Sequence, residues 1–201
     1  MTAMTAGQTA VRLERTIPAT SHQVYRAWLE PELLRRWMAP AGIEVSRAEV
    51  DERPGGHYRI WHADAGTEIG GFDCEVLELV PDERLVFRWG FVGPDRAAGP
   101  SYDSLLTVTL RAAADGGTVL TLVHERLDTL AAAMPQVAAN VGPGWESALD
   151  KLLAAVAPAG HGAVHQSRPF QHLHVLGRRR QRHGQRLGKL AHGQLAHGEP
   201  P

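Results

Sequence analysis

Apolar and polar residues alternate from Val11 to Ile17, where Val11, Leu13 and Ile17 share one parity and predict a first strand. Pro18 ends it. Thr20 or Ser21 can cap a helix that gathers Val24, Tyr25, Trp28 and Leu29 on one face. Pro31 suits the first turn of a second short helix, whose apolar residues are Leu33, Leu34, Trp37 and Met38. From residue 43 to 127 the period becomes that of strands. Strands are expected over 43–51, 57–63 and 68–80, with turns at Pro54-Gly55-Gly56 and Gly66 and a bend at Gly70-Gly71. The second of these places Tyr58, Ile60 and His62 on one face and His57, Arg59 and Trp61 on the other.

The segment 84–91, RLVFRWGF, is the bulkiest of the runs. As a single strand it would line one face with Leu85, Phe87, Trp89 and Phe91, and such a face needs a partner or a cavity. Residues 104–111 and 118–126 read as a hairpin joined through Asp115-Gly116-Gly117. Residues 130–140 are Ala-rich and partly helical, with Pro135 as an interruption, and Gly142-Pro143-Gly144 is expected to break the chain. Trp145, Leu149, Leu152, Leu153 and Val156 then mark an amphipathic helix. It would lie opposite Leu85 and Phe87 and leave Trp89 and Phe91 as cavity walls beyond its reach. Trp145 and Leu149 are assigned to packing.

A run of strands with helices set apart argues for an α+β fold with an antiparallel sheet, one face of which the terminal helix covers. A curved sheet around one helix leaves space for a ligand.

The order and spacing of RPGGHYRI, PDERLVFRW, GGTVLTLVHERL and GPGWESALDKL resemble one family over residues 10–157. It is the branch of the START-like (SRPBCC) superfamily that includes homologues of the heat-shock protein 90 ATPase activator. The resemblance implies a helix-grip fold: a curved antiparallel sheet wrapped around a long C-terminal helix, with two short helices after the first strand. Similar proteins bind apolar ligands, cyclise polyketides, protect against toxins or contact a chaperone, so the fold does not choose a function. Eukaryotic activators carry a separate N-terminal domain, whereas about ten residues precede the first strand here, and chaperone activation is not expected. The expected function is binding of an apolar small molecule between sheet and helix. The alternatives are a cyclase- or hydrolase-like enzyme using a cavity histidine, and a chaperone-interacting module.

Charge adds a boundary. Residues 1–157 hold 14 Lys and Arg against 21 Asp and Glu, a net of −7, while residues 158–201 hold seven against one, a net of +6. That basic tail contains seven of the eleven histidines and too few apolar residues for a core, so it reads as disordered or non-native coding. Cys74 stands alone, which excludes an intrachain disulfide and a cysteine zinc site. With no signal peptide and no membrane-length apolar run, the expected location is the cytoplasm. No membrane or nucleic-acid partner and no cofactor are expected, and a homodimer stays open.

The candidate ligand-binding residues are Trp37, Trp61, Phe72, Phe87, Trp89, Phe91, Tyr102 and His124. His62 and His124 are the candidate general bases, with no visible nucleophile or orienting acid, and no metal site is expected. Arg59, Arg88, Arg126 and Glu75 are read as cross-strand surface pairs rather than as cavity anchors.

Overall fold

The first strand, β1 (Val11–Ile17), stops one residue before Pro18, and the residues after it are built to start a helix. Thr20 caps α1 (Ser21–Ala27): its side chain accepts from the Gln23 N–H, and the Gln23 side chain accepts from the Thr20 N–H. That reciprocal box satisfies two of the donors a helix start leaves open. Pro31 opens α2 (Pro31–Trp37). These assignments come from a computed structural model that describes residues 10–100 and 104–157. The expectations for Tyr102 and for the tail 158–201 lie outside the described residues.

Seven strands form one antiparallel sheet in the order β1-β8-β7-β5-β4-β3-β2, with an eighth, β6, at its side. They are β2 (Glu44–Val50), β3 (His57–Asp64), β4 (Thr67–Val80), β5 (Arg84–Trp89), β6 (Phe91–Val92), β7 (Ser104–Ala112) and β8 (Thr118–Glu125). The two short helices carry the chain from one sheet edge, β1, to the other, β2. Register shifts at Val45/Arg47, His62/Ala63 and Val76/Glu78 bend the sheet. Gly70 and Gly71 bend it further at φ of 125° and 140°. A Cβ on Gly71 would lie 2.1 Å from the Ile60 carbonyl oxygen, so strands approach there as only glycine permits. Two helices follow, α3 (Asp128–Ala133) and the long α4 (Pro135–Val156). The architecture is the α+β helix grip, with α4 against the inner face of the curved sheet.

Two local expectations fail. Gly142-Pro143-Gly144 does not break the chain, because α4 runs through it. Val141 and Gly142 are buried there, Gly142 lying close to Val11 of β1, while Pro143 faces solvent. Docking of the helix on the sheet edge overrides local propensity. The run 84–91 is also not one strand. β5 ends at Trp89, the Gly90 carbonyl accepts from the Asp73 N–H, and Phe91 and Val92 pair only with β4. A side chain on Gly90 would strike the Asp73 carbonyl at 2.3 Å, so this crossover also depends on a glycine.

Candidate functional site

The inner face of the sheet collects rings from four sources. Tyr58 and His62 come from β3, Phe72 from β4, Phe87 and Trp89 from β5, and His124 from β8. Trp28 and Trp37 come from the helical pair and Trp145 from α4. Trp89 lies at the centre, fully buried. Its ring centroid is 4.7 Å from Phe72, 5.3 Å from Trp145, 6.0 Å from both Tyr58 and His124, and 6.1 Å from Phe87. The helix therefore does reach Trp89, contrary to expectation: the indole of Trp145 is long enough to span the gap beyond Phe87. Phe91, half-buried, stacks on His124 at 5.8 Å with nearly parallel planes.

A chain of hydrogen bonds ties these elements together. The Trp145 Nε1–H donates to His124 Nδ1 at 3.0 Å. His124 Nε2 lies 3.0 Å from Ser104 Oγ, and the Ser104 hydroxyl donates to the Trp89 carbonyl at 2.7 Å. Since Nδ1 accepts and the serine proton is committed, His124 carries its proton on Nε2 and donates it to Ser104. Both ring nitrogens are occupied, and burial lowers the pKa of His124 to about 3. The ring is a neutral bracket between α4, β8, β7 and β5, and it has no lone pair left for a substrate proton.

His62 has a comparable job. Its Nε2 donates to the Met38 carbonyl at 2.9 Å, and Lys151 Nζ donates to the Ala39 and Pro40 carbonyls, each at 2.9 Å. Three successive carbonyls just past the end of α2 are thus held from β3 and α4, the Pro40 carbonyl also accepting from the Ile43 N–H at 3.3 Å. Burial lowers the His62 pKa, the Met38 carbonyl opposes that shift, and the Arg96 and Lys151 charges add to it. Neither histidine bonds to an acid among the described residues, and these assemble no nucleophile, base and orienter around either ring.

Of the expected ligand-binding residues, Trp37, Phe72, Phe87, Trp89, Phe91 and His124 join this cluster. Trp61 does not. It sits on the opposite face of β3, where Arg47 and Arg96 stack over its ring at 4.7 and 4.2 Å. Strand alternation sends it there, as its parity with His57 and Arg59 already implied. The expected surface pairs form on that side: Arg59 Nε to Asp73 at 3.1 Å and Arg88 Nη1 to Glu75 at 2.6 Å. Arg96 also donates from Nη1 to the Phe72 carbonyl at 3.2 Å and from Nη2 to that of Ile60. It thereby fills the bend at Gly71.

Three interior residues escaped the sequence reading of the site: Trp28, Tyr58 and Ser104. Their signal was the parity or helical face each shares with core neighbours. Trp28 Nε1, the Tyr58 hydroxyl and Trp89 Nε1 are buried and have no hydrogen-bond partner among the described residues. Burial pushes the Tyr58 hydroxyl well above its usual pKa, so it stays a protonated donor. Trp37, by contrast, donates its Nε1–H to the Ala27 carbonyl at 2.9 Å. Three donors thus lie in the aromatic interior without an acceptor among the described residues. No cluster of metal-ligating side chains occurs among the described residues. No helix among them is long and apolar enough to cross a membrane.

The family described as activator of Hsp90 ATPase homolog 1-like protein matches residues 18–157. Among solved structures, a protein from Chromobacterium violaceum is similar at 30% identity and a TM-score of 0.58, over 74% of this chain and 98% of that one. A protein from Rhodobacter sphaeroides has 22% identity and a TM-score of 0.62, over 76% and 95%. One from Arthrobacter aurescens has 18% identity and a TM-score of 0.64, over 80% and 94%. The latter two likenesses concern the fold alone. No curated protein matches the chain.

Proposed function

Because the chain belongs to the activator of Hsp90 ATPase homolog 1-like family, whose fold often holds hydrophobic ligands, we propose that it binds a flat apolar small molecule between its sheet and α4. The observation that carries this reading is the set of unpartnered donors: Trp28 Nε1–H, Tyr58 O–H and Trp89 Nε1–H. A buried donor without an acceptor costs about 1–3 kcal/mol, and an apolar ligand bearing one oxygen acceptor would recover part of that while stacking on the surrounding rings. The reading therefore favours a carbonyl-bearing aromatic over a plain hydrocarbon. It is a binding function, since His62 and His124 are both committed to hydrogen bonds that hold the fold.

The test uses the full chain with 2-acetylnaphthalene and 2-ethylnaphthalene, followed by quenching of the buried tryptophans. The ketone should bind more tightly. Tyr58→Phe should weaken the ketone by roughly three- to tenfold, the value of one hydrogen bond, and leave the hydrocarbon unchanged. Because the hydroxyl has no partner to lose and its unsatisfied burial is relieved, the same variant should unfold at an equal or higher urea concentration. Failure of both probes to bind, or a ketone affinity that ignores Tyr58→Phe, would remove the proposal.

A further inference from the structure

A groove of about 400 Å³ lies on the outside of the helical layer, between α2, the start of β2 and α4. Arg35, Arg36 and Lys151 line it, against a single carboxylate, Glu44, and the half-buried Ile43 supplies accessible apolar wall, with the buried Trp37 behind it. Its charged side chains thus sum to +2 within a region, residues 1–157, whose net charge is −7. This is a positive cleft in a negative body, and a concave wall concentrates its field.

The cations differ in how far they are already used. Arg35 pairs with Glu32, one helical turn back, at a loose 3.8 Å. Arg36 is exposed and makes no ion pair among the described residues. Lys151 places two of its three protons on the Ala39 and Pro40 carbonyls and likewise meets no carboxylate there. That pair of bonds fixes the ammonium at the groove wall, so part of the entropy of ordering a long side chain is already lost before any ligand arrives.

We propose that this groove binds a small organic oxyanion, a carboxylate or a phosphomonoester, with Arg36 and Lys151 holding the anionic group and Ile43 bearing its apolar remainder. Arg36 supplies a planar fork that fits either oxyanion through two parallel hydrogen bonds, and Lys151 supplies a fixed point charge. The volume suits a ligand of one ring or a short chain. The site is separate from the interior proposed above. The buried Trp37 lies between the two, and none of the three unpartnered donors lines the groove.

The experiment titrates the full chain at low salt with benzoate, phenyl phosphate and neutral benzyl alcohol by calorimetry. At least one of the two anions should bind, benzyl alcohol should not, and which anion wins identifies the oxyanion. Arg36→Glu, a change at an exposed position, should weaken the bound anion at least about tenfold, the effect expected when an attractive contact becomes repulsive. Tyr58→Phe should leave anion binding unchanged, which separates this groove from the interior site. Binding that survives Arg36→Glu belongs to other cations, such as those of the basic tail, and overturns the proposal. Equal binding of benzyl alcohol, or no binding of either anion, overturns it as well.

Discussion

Acid should loosen this domain through one imidazole, and His124→Phe is the change that reveals it. The His124 ring is fully buried, and its pKa is lowered from 6.5 to about 3. Between those values the unfolded chain binds a proton that the folded protein refuses. Stability therefore falls as the pH drops below 6.5, and the penalty is complete near pH 3. The slope approaches 1.4 kcal/mol per pH unit, which amounts to about 2 kcal/mol between pH 7 and pH 5. The other titratable groups, His62 among them, are common to both proteins and drop out of the comparison. Phenylalanine keeps a ring against Phe91 but cannot titrate. At pH 7 the variant should already be less stable by about 1–3 kcal/mol, because the Trp145 Nε1–H loses its acceptor. Urea denaturation of both proteins at pH 7, 6 and 5 should then show the native chain losing about 2 kcal/mol more than the variant over the interval. Equal losses would mean that His124 is protonated in the fold, and the neutral bracket would have to be abandoned.

Two further outcomes follow from the packing. Gly71→Ala should destabilise the fold by roughly 2–4 kcal/mol, since φ is +140° and the new methyl would meet the Ile60 carbonyl, and a lowered urea midpoint checks it. Trp89→Ala should cost about 3–5 kcal/mol as a buried-ring deletion, whereas Trp61→Ala, outside the core between two arginines, should cost less than about 2 kcal/mol; thermal unfolding of the pair would expose a wrong assignment of faces.

Much of this was legible because strand alternation is a local rule. Tyr58, Ile60 and His62 face inward as their spacing says, and Arg88 meets Glu75 across β4 and β5 as two neighbouring outward residues should. The capping box at Thr20 is written in four consecutive residues. The failures are all tertiary. Nothing near Gly142 announces that β1 will lie against it and keep the helix intact. Nothing in RLVFRWGF announces that Asp73 will take the Gly90 carbonyl and end the strand. The site was partly readable for the same reason. Aromatic content pointed to the right face, but Trp145–His124–Ser104 joins residues 20 to 41 positions apart, and only the folded chain brings them together.

The course of α4 through Gly142-Pro143-Gly144 has a consequence for how the domain breathes. Relative to alanine, those three residues weaken a helix interior by roughly 5 kcal/mol, all within one turn. The C-terminal half offsets this with Trp145, Ala148, Leu149 and Leu152, all buried. The N-terminal half offers only Val137 and Ala138, half-buried, before Val141. One continuous helix is thus two thermodynamic units sharing a frail joint. The first unit can melt and re-form far more often than the whole domain unfolds, as amide exchange would register. Trp145, which closes over Trp89 and His124, is the first residue past that joint, so it is where strong amide protection should begin.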